Sequence, residues 1–234
     1  IEKGAFAPVD ISTSPVIADN NEQTNQDSAY NSNGSLYLHT YVDSSRGSSY
    51  VVVDANTGQQ VLRGSLSSQY VKPRAFSVGN YLIVVAVDNS SSPFTLSYFP
   101  ILITSPAHPT VMVVSASVSQ THPNFSGIVS GDTLYLSWNG VSTVRTARID
   151  SEATLQGLAI QNNEVAAGCI NVFADDTQTP HHIWTAYYDG TSEIRYFVQS
   201  GLNLGNILAP TSFLAGTRGI INVSGYARNG AVNI

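Results

Sequence analysis

Charge is scarce in this chain. Only 11% of its 234 residues are charged, and lysine occurs only at Lys3 and Lys72, whereas soluble domains average about 25% charged residues. The net balance is mildly acidic, at −6, and the basic residues stand singly. That disfavours nucleic-acid binding through a basic patch. Cysteine is almost missing: with Cys169 alone, no internal disulfide can form. Its apolar setting, Ala-Ala-Gly-Cys-Ile-Asn-Val, marks a small core residue instead of a reactive nucleophile. Apolar runs are short as well. Tyr-Leu-Ile-Val-Val-Ala-Val at 81–87 falls far below the roughly 20 residues of a membrane span, and no secretory leader is visible. Helical periodicity is absent apart from a short turn near 151–155.

What fills the chain is Ser, Thr, Asn and Gln around short, β-branched apolar runs. Residues 1–19 are mixed, and the tract Asn-Asn-Glu-Gln-Thr-Asn-Gln-Asp-Ser at 20–28 lacks apolar periodicity and reads as an exposed loop. Structure resumes at Gly34, which sets the domain limits: an extended segment at 1–33 and one repeat domain at 34–234. The first unit holds Leu-Tyr-Leu-His-Thr-Tyr-Val (36–42) and Tyr-Val-Val-Val (50–53), then a hairpin through Asp-Ala-Asn-Thr-Gly with Gly58 placed for a positive φ. The second centres on 81–87, between a Gly79-Asn80 turn and the alternating Phe-Thr-Leu-Ser-Tyr-Phe (94–99). The third centres on Thr-Leu-Tyr-Leu-Ser-Trp (133–138), with Asn139-Gly140 as its turn. The fourth centres on His-Ile-Trp-Thr-Ala-Tyr-Tyr (182–188), and a fifth begins at Gly-Ile-Ile-Asn-Val (219–223). The chain opens at Ile1 and ends within a strand pattern at Val232-Asn-Ile, which reads as a piece of something longer.

Units recurring about every 45 to 53 residues, each a set of short antiparallel strands, predict an all-β, β-propeller-like array of about four to five blades. Stacked blades bury each other's apolar faces, and the inner strand of each blade is covered on both sides, which accounts for the almost unbroken apolar run at 81–87 as such an inner strand. A β-sandwich is the alternative, since it too has short strands at regular spacing.

No constellation specifies a reaction, so no catalytic, cofactor or metal residue is assigned and no cofactor is expected. Asp175, Asp176, His181 and His182 form the one local cluster of ligand types. Adjacent strand residues point to opposite faces, so a polar turn leading into a strand is the simpler account. His39 lies within a strand, and His108 and His122 precede prolines in connections. Glu152, Glu164 and Glu193 are glycosidase carboxylates by type only. Asp43, Asp54, Asp88, Asp150 and Asp189 follow strands as ordinary turn aspartates do. Trp138 and Trp184 occupy matching places in central strands, where core packing is expected; exposed, they would stack on sugars. Asn-x-Ser/Thr triplets at Asn33, Asn89, Asn124 and Asn222 arise readily in so Ser-rich a chain. No Gly-x-Ser-x-Gly elbow is present.

Tyr-Val-Val-Val-Asp-Ala-Asn-Thr-Gly-Gln-Gln-Val-Leu-Arg (50–63) resembles the outer hairpin of a blade in the quinoprotein-like propellers, which supports the architecture and implies no quinone. Tyr-Asp-Gly-Thr-Ser (188–192) departs from the Ser-x-Asp-x-Gly-x-Thr-Trp turn of sialidase-type propellers. The style of the repeats, with Leu-Tyr-Leu-Ser-Trp (134–138) and Arg-Thr-Ala-Arg-Ile-Asp (145–150), resembles bacteriophage tail proteins over residues 34–230. Tail nozzle proteins of short-tailed phages are the nearest type. That resemblance implies a non-enzymatic structural component of a virion, assembling with copies of itself and other tail proteins and letting DNA pass without specific binding. No membrane partner is expected. The alternative is an extracellular carbohydrate-binding module with glycans as partners, and an enzyme is the third possibility.

Overall fold

The computed structural model describes residues 23–43, 47–162, 164, 169–190, 193–214, 226–228 and 231–233. Regular structure among these residues is all strand. The first sheet is β1 (Gln23–Asn31), β2 (Leu36–Asp43), β3 (Gly47–Asp54) and β4 (Gln60–Ser65); the second is β5 (Tyr70–Val78), β6 (Tyr81–Asp88), β7 (Phe94–Leu102) and β8 (Met112–Val118). The third is β9 (Phe125–Ser130), β10 (Thr133–Gly140), β11 (Thr143–Ile149) and β12 (Leu155–Asn162). The fourth is β13 (Ile170–Asp175), β14 (His182–Tyr188), β15 (Ile194–Ser200) and β16 (Asn206–Leu214). A two-stranded sheet, β17 (Tyr226–Arg228) and β18 (Ala231–Asn233), follows. Each four-stranded sheet is an antiparallel meander in chain order.

The first strands of successive sheets lie against one another: β1 on β5, β5 on β9, β9 on β13 and β13 on β17. That places them around an axis with the other strands radiating outward, the propeller-like arrangement predicted, in preference to a sandwich. Each blade covers the next. Leu82, Val84 and Ala86 of β6 pack with Leu36, Leu38 and Val52 of the first blade, while Ile83, Val85 and Val87 pack with Leu134, Leu136 and Trp138 of the third. Side chains alternate along a strand, so one strand serves two interfaces and must be apolar throughout. All six are fully buried, each worth roughly 1.5–3 kcal/mol for a large aliphatic. The third interface joins Tyr135 and Val144 to Ile170, Val172, Tyr187 and Phe197.

Polar latches fasten the same seams. Asn31 Nδ2 donates to Ser77 Oγ at 3.0 Å and to the Gly79 carbonyl at 2.9 Å. Tyr98 donates to the Ala153 carbonyl at 3.0 Å, Tyr135 to that of Gly201 at 2.9 Å, and Thr146 to Gln199 Oε1 at 2.8 Å. Such buried groups need partners because an unsatisfied one costs about 1–3 kcal/mol.

Several expectations change. Residues 23–28 of the polar tract belong to β1 instead of a loop, because this strand pairs with β2 and meets β5 through polar contacts of Asp27. The apolar run at 81–87 is the second strand of its blade, not the innermost. Asn139 and Gly140 end β10, and the turn falls on 141–142, with Ser142 at φ 55°. Residues 151–154 form a turn and no helix. The segment at 219–223, like 1–22 and the ends of the proposed domain limits, lies outside the described residues. The Asp54–Gly58 hairpin holds as read: Gly58 has φ 69°, and Asp54 Oδ1 accepts from the Asn56 and Thr57 amides at 2.8 and 3.0 Å. Those amide bonds hold the Asp54 carboxyl below its usual range.

Candidate functional site

The inner strands leave an axial cleft between them. Its outer chamber, about 480 Å³, is lined by Gln26 and Asp27 of β1, Lys72, Pro73 and Arg74 of β5, Asn124 and Phe125. A second chamber of about 400 Å³ shares Arg74 and Phe125 and continues along β9 and β13 to Asn171 and Phe173. Alternation explains the lining. Ala29 packs toward the second blade's core, and Asp27 lies on that side too, at the end nearer Arg74. On β5, Ala75 and Phe76 are core while Arg74 stays exposed.

A register break between Val71 and Arg74 sets the mouth, with Lys72 at φ 54°. This is uncommon for a residue other than glycine. Arg74 Nε donates to Asp27 Oδ2 at 2.7 Å, and the Ala75 amide donates to the same oxygen at 3.1 Å. The guanidinium's two terminal nitrogens hold no hydrogen bond to a described residue. Lys72 Nζ donates to Asn124 Oδ1, and burial holds its ammonium below the usual lysine range. Deeper, Ser126 Oγ donates to Asn171 Oδ1 at 2.7 Å. Gly127 is required here, since an added Cβ would sit 2.7 Å from Phe76 Cζ and 2.9 Å from Leu136 Cδ2.

The residues singled out in the sequence lie elsewhere. Asp176 and His181 do meet, 3.4 Å apart, with Ser130 Oγ 2.7 Å from His181 Nδ1 and bonded to Asp176. Serine and aspartate converge on the same ring nitrogen, so this is not a nucleophile relay, which needs them on opposite nitrogens. Asp175 turns away and accepts from the Thr177 amide at 3.1 Å. No group of three His, Cys, Asp or Glu with metal-binding geometry exists among the described residues. His39 bonds Ser28 Oγ at 2.7 Å, His108 bonds Tyr50 OH at 2.8 Å, and the His122 carbonyl accepts from Asn139 at 3.0 Å.

Glu164 is buried against Arg195, at 2.7 and 2.9 Å, and accepts from Tyr187 OH. Glu193 takes Ser212 Oγ, and Glu152 lies in an exposed turn. None of the three reaches the cleft. Asp88, Asp150 and Asp189 cap turns through backbone amides, and Asp43 is buried at the end of β2. Trp138 and Trp184 are core residues, 0% and 7% exposed, so neither stacks on a sugar. Asn124 is the one triplet asparagine in the cleft; Asn222 lies outside the described residues. Cys169 is buried and free, and burial raises its thiol pKa.

The sequence had not singled out Asp27, Lys72 or Arg74. The available signal was rarity: Lys-Pro-Arg at 72–74 concentrates two cations in a chain with ten.

No family model matches the chain, and no curated protein matches it. Among solved structures, it is similar to CoXyl43, a GH43 β-xylosidase/α-arabinofuranosidase from a compost microbial metagenome solved in complex with xylotriose. The TM-score is 0.50 at 9% identity over 91% of this chain and 84% of that one. It is similar to a triple-arginine variant of AofleA from Arthrobotrys oligospora, with TM-score 0.53, 12% identity, and 83% and 58% coverage. It is also similar to a prolyl endopeptidase, with TM-score 0.50, 11% identity, and 80% and 26% coverage. The chain thus spans about a quarter of the endopeptidase and somewhat over half of AofleA. At such identities the likeness defines a class by fold: propeller-like all-β proteins.

Two expectations are corrected by it. The step from architecture to a virion tail component fails, because the matching folds named above belong to no virion part. The expectation of no enzymatic activity fails with it, because the same fold carries glycoside hydrolases and a peptidase. Repeated short strands report an architecture and not a role, which is why the style of the repeats misled.

Proposed function

We propose that the axial cleft binds a glycan and that the protein works outside the cell. The observation that carries this reading is the mouth itself. Asp27, Arg74, Lys72 and Asn124 bring donors and acceptors together in a chamber of about 480 Å³. Its size falls within the roughly 300–1,000 Å³ of small-molecule sites, and a lining of donors and acceptors suits a sugar's hydroxyl rim. The fold's likeness to a xylotriose-bound hydrolase lends support. The scarcity of charge and the abundance of Ser, Thr, Asn and Gln fit an exposed surface protein.

A glycosidase acid–base pair needs two carboxylates roughly 5–9.5 Å apart. The described cleft residues supply one, Asp27, which Arg74 orients. They therefore support the recognition half of such a site. Glycan-array binding followed by calorimetry tests it: the purified chain binds oligosaccharides, and Asp27→Asn weakens binding at least about tenfold, through loss of the charge-assisted pair that orients Arg74. Indifference to every glycan overturns the reading. Incubating the protein with a bound oligosaccharide and measuring new reducing ends then reports whether cleavage follows recognition.

A further inference from the structure

The cleft mouth has a charge opposite to that of the chain. Its described charged residues are Lys72, Arg74 and Asp27, two cations against one carboxylate, in a protein of net −6. One of the chain's two lysines stands there, half-buried, on backbone that lysine seldom adopts. A strained position of this kind persists when surrounding structure fixes it, and it tends to mark function. Lys72 has no carboxylate within ion-pair distance among the described residues; its ammonium is held by the neutral Asn124. Arg74 spends only Nε on Asp27, keeps the two terminal nitrogens of its planar outer edge without a hydrogen bond to a described residue, and lines both chambers. That edge is the shape that pairs with a carboxylate through two parallel hydrogen bonds.

Building on the glycan reading above, we propose that the sugar bound at the mouth is acidic, a uronic acid whose carboxylate pairs with the outer edge of Arg74 and with Lys72. Asp27 then has two tasks. It fixes the guanidinium plane, and it leaves the mouth with a single surplus positive charge, matched to one carboxylate per sugar. Gln26 and Asn124, which line the same mouth, are neutral and add no charge to this count. Burial disfavours the charged lysine, and an arriving anion relieves that penalty, so the mouth is primed for charge complementarity.

Calorimetry with trigalacturonic acid and its fully methyl-esterified form tests this with the native protein. The acid binds at least about tenfold more tightly than the ester, a charged pair being worth more than the neutral bond that replaces it. The difference shrinks as salt rises, and Lys72→Gln, checked for an unchanged unfolding temperature, narrows the acid-to-ester ratio. Equal affinity for acid and ester overturns the proposal while leaving the glycan reading in place. An Asp/Glu-rich peptide that binds as tightly as the trisaccharide overturns the sugar assignment. Failure to bind any glycan, neutral or acidic, removes the glycan reading and this inference together. The ester comparison needs no variant, so it stands even if Lys72→Gln fails to fold.

Discussion

Strands β6 and β1 sit in neighbouring blades and have opposite chemistry. β6 is buried from Leu82 to Val87 and touches blades on either side. β1 sets Gln26 and Asp27 in the lining of an open cleft, and none of its side chains from Gln26 to Tyr30 is fully buried. Both are strands of similar length in equivalent meanders. What separates them is distance from the axis: a second strand lies between two blades, whereas a first strand borders the space that the ring of blades leaves open. Apolar content in this fold therefore tracks radial position as well as secondary structure.

Substitutions that exchange the two environments test that difference most sharply. Val84→Asp puts a carboxylate into the seam between the first two blades, where no partner exists, and abolishes cooperative folding, a loss above about 4 kcal/mol; far-ultraviolet circular dichroism and a lost urea transition would show it. Gly127→Ala drives a methyl into Phe76 and Leu136 and costs about 1–3 kcal/mol, read as a lower urea midpoint with an unchanged slope. Asp27→Asn costs less than about 1 kcal/mol of stability, because its pair with Arg74 is partly exposed, yet it weakens glycan binding as stated above. An inner-strand change that leaves the fold intact and empties the cleft is the outcome the comparison requires.

The smallest expected effect is on acidification. Burial lowers the His39 pKa from 6.5, so the native state binds that proton less readily than the unfolded chain does. Its contribution is complete above pH 6.5 and is lost as pH falls through the native value. Thermal unfolding from pH 8 to pH 5 shows the decline, and His39→Gln flattens it. A native protein whose stability rises with acidification over that interval would contradict the sign.

The same contrast governs what could be seen in the residues beforehand. Runs such as 81–87 and 133–138 announce themselves because both faces of the strand are covered, and their spacing discloses the repeat. Trp138 and Trp184 fall in the core as their matching positions indicate. Residues 23–28 carry no comparable pattern: this strand meets the next blade through polar groups such as Asp27 against Arg74, so no apolar alternation marks it and it passes for a loop. The candidate site escaped for the same reason, since Asp27, Lys72 and Arg74 come from two such strands and converge only when blades stack. Short-range clusters were visible and proved to be turns. Asp175 and Asp176 diverge, and Glu164 neutralises Arg195 away from the cleft. The long-range pair that matters spans 47 positions of sequence.

Cys169 offers a way to watch these blades move. It is the lone thiol, buried on the face of the fourth blade that carries Phe173, Trp184 and Val198. A thiol reagent reaches it only when that face opens, so its labelling rate under native conditions is a clock for the fourth blade alone. With contacts confined largely to adjacent blades, that clock keeps its pace when a distant seam such as the one at Leu38 and Val84 is loosened, and it quickens when Val144 or Tyr187 is cut back.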